Sequence, residues 1–221
     1  MKYYVVLDVE MCKVSKGAKC KVYHRPYEII QLGAVLLNEI YEIAGEFNSF
    51  VKPRYGRLDS YITDLTGIHW TEIADAPTLA QVLDEFAAWI PDGEVEMVSW
   101  SDTDQYQIAG EMKLKTIHNE KIEDLLNHWI DSQKVFSEKV DSKRSYSLEE
   151  ALISCDIETV GNAHDGFSDA YNTGLLFKKM MTQEKLIINT MYEAAKSKEI
   201  QHLTCTFGEL LNGIDLATCI V

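Results

Sequence analysis

Two acidic residues near the N-terminus have the spacing of a paired carboxylate site. Asp8 and Glu10 follow an apolar run at residues 3–7, which predicts a strand buried on both faces. Because side chains alternate between the faces of a strand, these two project from the same face. Carboxylates that close repel each other unless a proton or a cation lies between them. A hard divalent ion such as Mg²⁺ or Mn²⁺ takes oxygen ligands and would neutralise them.

Two further acidic segments follow at junctions between predicted strands and helices. A strand predicted at residues 95–100 leads into Asp102 and Asp104, and Asp102 suits the N-cap of the next helix by its position. A glycine-containing loop at residues 161–166 carries His164. If Asp165 caps the long helix that follows, Asp169 lies one turn into that helix. The sequence therefore predicts an acid and a proton acceptor at the same end of one helix. A histidine in this position is also compatible with a purely structural hydrogen-bonding role.

Hydrophobic periodicity predicts the elements that position these residues. Alternating and apolar runs indicate strands at 28–37 and 42–51, joined to the first strand by short antiparallel connections. Helical spacing and capping signals predict helices at 62–68, from 76 to 90, through 108 and 112, at 132–139, from Ser147 onward, from 166 to about 181, and through 186–195. A short strand is predicted at 128–130.

Composition bounds the class of protein. With 221 residues and 46% hydrophobic content, the chain can form one sizeable domain, predicted at 1–181, and a C-terminal extension at 182–221. No run of eighteen apolar residues and no signal peptide is present, so we expect a cytoplasmic protein without a membrane partner. Five irregularly spaced cysteines argue against a disulfide framework and fit a reducing compartment.

Charge is unevenly distributed along the chain. The formal net charge of −14 argues against a broad electrostatic footprint on duplex nucleic acid, which relies on many lysine and arginine contacts to phosphate. Residues 13–25, however, contain five basic side chains and no acid. This segment is either a solvated surface loop or a phosphate-contacting arm beside the acidic site.

Taken together, the acidic segments resemble the DEDDh branch of the DEDD superfamily of 3′→5′ exonucleases. The first motif matches at Asp8-Val9-Glu10, the second at residues 100–104, and the third at His164 with Asp169. Residues 28–35, 65–68 and 76–77 are similar to the histone-mRNA and RNA-interference-related members. The resemblance covers about residues 1–181.

The resemblance implies a ribonuclease-H-like α/β fold, with a mixed central sheet, helices on both faces and a C-terminal helical extension. It also implies release of nucleoside monophosphates from single-stranded 3′ ends, with RNA favoured by the branch. An exonuclease acting on single-stranded DNA and a non-catalytic RNA-end or protein-binding module are the alternatives.

The resemblance also assigns roles to residues. Two Mg²⁺ or Mn²⁺ ions would be held with Asp8 between them, Glu10 and Asp169 on one, and Asp104 on the other. Asp104 is chosen over Asp102 because the family places its acid about four residues after the aromatic residue of the strand. His164 would be the general base. The terminal nucleotide and the next phosphates are expected at the main chain of Met11 and Cys12 and at the side chains of Lys13 and Lys16.

Overall fold

A mixed β-sheet forms the centre of the structure, a computed structural model that describes residues 1–14, 25–189 and 192. Its strands are β1 (Lys2–Val14), β2 (Tyr27–Leu37), β3 (Ile43–Phe50), β4 (Gly56–Arg57), β5 (Glu94–Ser99) and β6 (Trp129–Asp131). The order across the sheet is β3-β2-β1-β5-β6, and β4 pairs with the end of β1. The β1–β2 and β2–β3 pairs are antiparallel, whereas β1–β5 and β5–β6 are parallel.

Helices cover both faces of this sheet. They are α1 (Ser60–Thr66), α2 (Trp70–Ile73), α3 (Leu79–Trp89), α4 (Thr103–Lys115), α5 (Glu120–Leu125), α6 (Ser132–Lys139), α7 (Leu148–Ser154) and α8 (Gly166–Thr182). Apolar residues of α3, α4 and α5 pack on one face. Those of α6, α7 and α8 pack on the other face. The prediction of an α/β fold with a mixed sheet and helices on both faces is therefore confirmed.

Strand β1 alternates between these two cores, as its apolar run predicts. Val5 and Leu7 pack under α3 and α4, whereas Tyr4 and Val6 pack under α8. The parallel pairing with β5 extends only as far as Val6. The last residues of β1 therefore run beyond their parallel neighbour, and this leaves space at the end of the sheet for side chains from other elements.

Local capping chemistry sets several helix boundaries where the sequence predicts them. Ser147 and Glu150 form the expected capping box of α7, and Gly67 ends α1 in the left-handed conformation with φ 72°. Helix α3 begins at Leu79 with Thr78 as N-cap, so Pro77 precedes the helix instead of occupying its first turn. The short elements β4, α2 and α5 were not predicted, because two to six residues carry too little periodicity.

The C-terminal part of the chain is only partly covered by the structure. Helix α8 ends at Thr182, and the described residues 183–189 form no helix, although Leu186 packs into the core under α8. The rest of the helix predicted through 186–195, apart from residue 192, lies outside the described residues, as do Cys20, Cys205 and Cys219. Cys12 and Cys155 are free thiols in the core. Among the described helices, none has the length and apolar character needed to cross a membrane.

Candidate active site

Four carboxylates meet where β1 extends beyond β5. Asp8 and Glu10 project from the face of β1 that α8 covers, and Asp169 lies in the first turn of α8. Asp104 comes from the first turn of α4 and is only 6% exposed. Its Oδ1 accepts a hydrogen bond of 3.2 Å from the backbone N–H of Val9. This bond fixes α4 to the part of β1 that carries the other acids.

The structure distinguishes the two acids of the second segment. Asp102 occupies the N-cap position of α4, as predicted, but its side chain makes no capping hydrogen bond. It instead accepts a hydrogen bond of 3.0 Å from Lys134 Nζ, and its side chain is 38% exposed. Asp104 therefore lies with Asp8 and Glu10, and Asp102 does not.

Helix α8 lies directly on β2, and this contact brings Asp169 to Asp8. Asp165 is the N-cap and accepts a hydrogen bond of 2.9 Å from the N–H of Ser168. The buried side chain of Gln31 donates to Asp165 Oδ2 at 3.0 Å and accepts from the N–H of Gly166 at 3.0 Å. Gly33 has no side chain to separate the two backbones, since a Cβ there would overlap Gly166 and the following peptide. The hydrogen bonds of Gln31 thus hold the first residues of α8 in place, and Gly33 allows them to lie close to β2.

His164 lies on the loop that precedes α8, next to two of the acids. Its backbone N–H donates to Asp169 Oδ2 at 2.9 Å, and its φ of 62° is in the left-handed region that L-residues rarely adopt. Glu10, His164 and Asp169 each offer one ligand atom, and these three atoms lie within 4.8 Å of one another. The imidazole is exposed, so water and substrate can reach it.

Side chains of α8 hold this loop at both ends. The amide of Asn172, which is 3% exposed, accepts from the N–H of Val160 at 2.9 Å and donates to the carbonyl of Val160 at 3.0 Å. Gly161 follows with φ 74°, and Asp169 binds the other end of the loop at His164. The helix that carries Asp169 therefore also determines where His164 lies.

Burial raises the pKa values of all four acids, and repulsion from the others adds to the shift at Asp8 and Glu10. Burial, followed by the charges of Asp104, Glu10 and Asp169, raises the pKa of Asp8 well above its ordinary value. Burial first, and then Asp169 and Asp104, raises the pKa of Glu10 to about 8. The raised values mean that the folded protein holds these carboxylates close together without enough positive charge to compensate them.

The remaining shifts follow the same causes. Burial raises the pKa of Asp104 to about 7, although the Val9 N–H opposes the shift. Burial also raises the pKa of Asp169, against the hydrogen bond from His164. At Asp165, burial alone would raise the pKa, but hydrogen bonds from Gln31 and Ser168 together lower it. Asp165 is therefore a stably ionised cap, distinct from the four crowded acids.

The donor set fits a hard divalent cation. In the part of the chain that the structure describes, none of the four acids forms an ion pair with a lysine or an arginine. The available ligand atoms of the four acids are carboxylate oxygens, which are the ligands that Mg²⁺ and Mn²⁺ prefer. A cation at this position would favour the ionised form of the four buried acids and offset the repulsion at Asp8 and Glu10.

The predicted substrate-binding residues lie at different depths. Met11 is half-buried and packs against the core under α3 and α4. Cys12 is fully buried, and burial, with a smaller effect of Glu28, raises the pKa of its thiol to about 12, so only its main chain could meet a ligand. The side chain of Lys13 is 50% exposed. Lys16 lies outside the described residues. Sequence reasoning missed Gln31, Gly33 and Asn172, whose contacts join distant segments.

Comparison with known proteins relates the chain to nucleases. A family model described as Exonuclease (RNase_T) matches residues 5–177. ERI1 exoribonuclease 2 of Mus musculus is 30% identical over 207 residues, which cover 81% of this chain and 28% of that protein. The chain therefore spans less than a third of the length of this relative.

Solved structures share the fold. The crystal structure of cell-death related nuclease 4 (CRN-4) superposes with a TM-score of 0.69 at 26% identity, covering 85% of this chain and 66% of that one. The nuclease domain of 3′hExo, a DEDDh family member bound to rAMP, gives a TM-score of 0.71 at 23% identity, with 85% and 96% covered. The predicted ribonuclease-H-like fold is confirmed.

Proposed function

The chain belongs to the exonuclease family, in its DEDDh branch, and from this membership we propose that it is a metal-dependent 3′→5′ exonuclease. The observation that carries the proposal is the convergence of Asp8, Glu10, Asp104 and Asp169 with His164 at the end of β1. Four oxygen-donor side chains and one exposed imidazole form the set that metal-assisted phosphodiester hydrolysis requires. The product would be a nucleoside 5′-monophosphate.

RNA is the proposed substrate, in single-stranded form at its 3′ end. The support is indirect: relatives with about 30% identity over 81% of this chain carry the name exoribonuclease. The carboxylate cluster binds a phosphodiester whatever the sugar, so preference for RNA requires a contact to the 2′-hydroxyl. Single-stranded DNA is therefore the comparison substrate in the test below.

We assign the metal ligands as follows. Asp8 lies at the centre of the four acids and would contact two Mg²⁺ or Mn²⁺ ions, with Glu10 and Asp169 on one and Asp104 on the other. Bound there, such ions would lower the pKa of water and would stabilise the charge on the phosphate and on the leaving 3′-oxygen. Asp104 is supported over Asp102 by its burial beside Val9 and by the Lys134 contact that holds Asp102 away.

His164 is the proposed general base. Its exposed imidazole, beside Glu10 and Asp169, would accept a proton from the attacking water. The water oxygen forms a bond to phosphorus, the bond from phosphorus to the 3′-oxygen breaks, and the leaving oxygen takes a proton from solvent. The hydrogen bond from the His164 backbone to Asp169 Oδ2 leaves the other oxygen of that carboxylate for the ion.

Incubation of 5′-labelled single-stranded RNA and DNA of the same sequence with Mg²⁺ or Mn²⁺ tests the activity. Controls contain EDTA or the isosteric Asp8→Asn variant. We expect stepwise shortening from the 3′ end that requires both the metal and Asp8, and faster shortening of RNA. Cleavage that persists in EDTA would contradict the proposed metal dependence. A folded wild type that shortens neither substrate would contradict the exonuclease and favour a binding module.

The proposal also covers the domain boundary and the cellular compartment. The family match ends close to residue 181, which supports an exonuclease domain at 1–181 and a separate segment at 182–221. The free, buried thiols of Cys12 and Cys155 support a reducing compartment, and we propose the cytoplasm.

A further inference from the structure

Two cations from separate basic segments meet beyond the candidate active site. Residues 51–58 contain Lys52, Arg54 and Arg57 and no acid, like the basic segment that begins at Lys13. The antiparallel β1–β4 ladder pairs Lys13 directly with Arg57. The fold therefore joins two acid-free basic segments that lie far apart in an otherwise acidic chain.

The side chains of this cross-strand pair have little compensating charge. Residues directly opposite each other in an antiparallel ladder have Cβ atoms about 5 Å apart on the same face, and like charges there are destabilising. In the described part of the chain, the exposed guanidinium of Arg57 has no ion pair. Lys13 Nζ lies 3.9 Å from Asp59 Oδ2, but both side chains are about half exposed, so this pair is weak. An anion between the two cations would relieve their repulsion.

The pair lies beyond the acidic residues along β1. Lys13 is three residues beyond Glu10 along β1, a distance of roughly 10 Å. Its ammonium group lies 5.0 Å from the ring centroid of Tyr61, in the first turn of α1. Helix α1 packs through Ile62 against Cys12, which projects from the same face of β1 as Glu10. Because side chains alternate along a strand, Lys13 starts on the face of β1 opposite to Glu10, but its ammonium group lies beside α1, the helix that packs on Cys12.

An exposed aromatic ring completes the surface. Tyr61 is 61% exposed although its neighbour Ile62 is buried. A tyrosine ring beside a lysine ammonium combines a surface for base stacking with a phosphate contact, which is the combination that single-strand binders use. Lys13, Arg57 and Tyr61 together are called the β1–β4 surface below.

We propose that the β1–β4 surface binds the phosphodiester backbone of the single strand on the 5′ side of the terminal nucleotide. Lys13 and Arg57 contact phosphates, and Tyr61 stacks on a base. The inference rests on the proposed function, since it assumes a strand whose 3′ end lies at the four acids. It predicts that the protein acts better on oligonucleotides than on esters of a single nucleotide.

Two measurements test the surface. The first is binding of a fluorescently labelled 12-nucleotide RNA by anisotropy in EDTA, over a range of salt concentrations. The second is hydrolysis of the p-nitrophenyl ester of thymidine 5′-monophosphate with Mn²⁺, because this ester has no upstream phosphate. Arg57→Ala and Lys13→Ala are compared with Lys2→Ala, which removes the same charge from the opposite end of β1.

The slope of log K against log salt is negative, and loss of one phosphate contact to a single strand reduces its magnitude by about 0.7. At 0.1 M salt this corresponds to a roughly fivefold loss of affinity. We expect this change in Arg57→Ala and in Lys13→Ala but not in Lys2→Ala, which should also hydrolyse the ester at the wild-type rate. An unchanged slope, or an equal change in Lys2→Ala, would overturn the inference. If the wild type fails to hydrolyse the ester or RNA, the proposed function fails, and the binding measurement still decides on the surface.

Discussion

The acids of the candidate site are individually ordinary residues, and their spacing alone predicts part of the site. Asp8 and Glu10 are predictable because strand alternation is local. The choice between Asp102 and Asp104 is not predictable from spacing, since both lie at the start of one helix. It depends on Lys134, which binds one acid, and on the Val9 amide, which binds the other.

The raised pKa of Glu10 predicts how stability depends on pH in the absence of metal. Its pKa is about 8 in the folded protein against 4.5 ordinarily, so between these values the folded state binds protons that the unfolded chain releases. The free energy of unfolding contributed by this group therefore decreases as pH rises from about 4.5 to 8. Asp104, with a pKa of about 7, acts in the same direction.

Thermal unfolding in EDTA at several pH values measures this effect. We expect Glu10→Gln to unfold at a higher Tm than the wild type at pH 8 and at a similar Tm at pH 5. A difference of about 1 kcal/mol corresponds to roughly 2–4 °C for a chain of this size. If Tm changes with pH in the same way for the wild type and for Glu10→Gln, the raised pKa of Glu10 is contradicted.

Replacing the exposed imidazole of His164 should affect chemistry and leave the fold intact. If the imidazole accepts the proton from water, His164→Ala lowers kcat by about 10²–10⁴ with little change in Tm. His118→Ala is the matched control, because His118 is also exposed and lies on the loop between α4 and α5, where its partner is Glu123. Steady-state kinetics that give the same kcat for His164→Ala and the wild type would exclude this role.

At the scale of elements, the placement of α8 decides whether the site forms. Its cap at Asp165 and the capping box at Ser147 are predictable because they involve residues three positions apart. The contacts that fix α8 on the sheet are not predictable in this way. Gln31 and Gly33 lie more than 130 residues from Asp165 and Gly166, and a single sequence carries no signal for such a pairing.

Gly33→Ala tests the contact between α8 and β2. An added methyl group overlaps the backbone of Gly166, so the helix start must move away from β2 and carry Asp169 away from Asp8. We expect a loss of activity together with a destabilisation of about 1–3 kcal/mol, as in other overpacked cores. Gly45→Ala is the control, since its Cβ would meet Trp89 at an ordinary 3.5 Å. Equal chemical-denaturation midpoints for Gly33→Ala and the wild type would show that the contact is not tight.

Asn172→Ala tests whether α8 positions His164 through the loop. The change leaves the N–H and the carbonyl of Val160 without the Asn172 partner. It should lower kcat and leave KM nearly unchanged. Because Asn172 acts through His164, the same change should have little further effect on kcat in a His164→Ala background. A decrease in kcat of the same size in both backgrounds would assign Asn172 a general structural role.

At the scale of the whole molecule, charge is divided between the two ends of β1. Near Lys2, at the end away from the site, Asp92, Glu94, Glu96 and Asp124 line a cavity of about 540 Å³. Beyond Glu10, at the site end, lie Lys13 and Arg57. The net charge of −14 argues against a broad basic footprint, and the fold brings the basic residues Lys13 and Arg57 together from separate segments.

The central claim is that the four carboxylates bind divalent cations. Isothermal titration calorimetry of Mn²⁺ and Mg²⁺ binding at pH 7.5 tests it most directly. If the four crowded carboxylates form a two-ion site, the wild type binds about two equivalents of divalent cation. Binding releases protons, because the pKa values of the acids are raised. Asp8→Asn should lose most of this binding while remaining folded. The absence of binding to the wild type, or identical isotherms for the wild type and Asp8→Asn, would contradict the account.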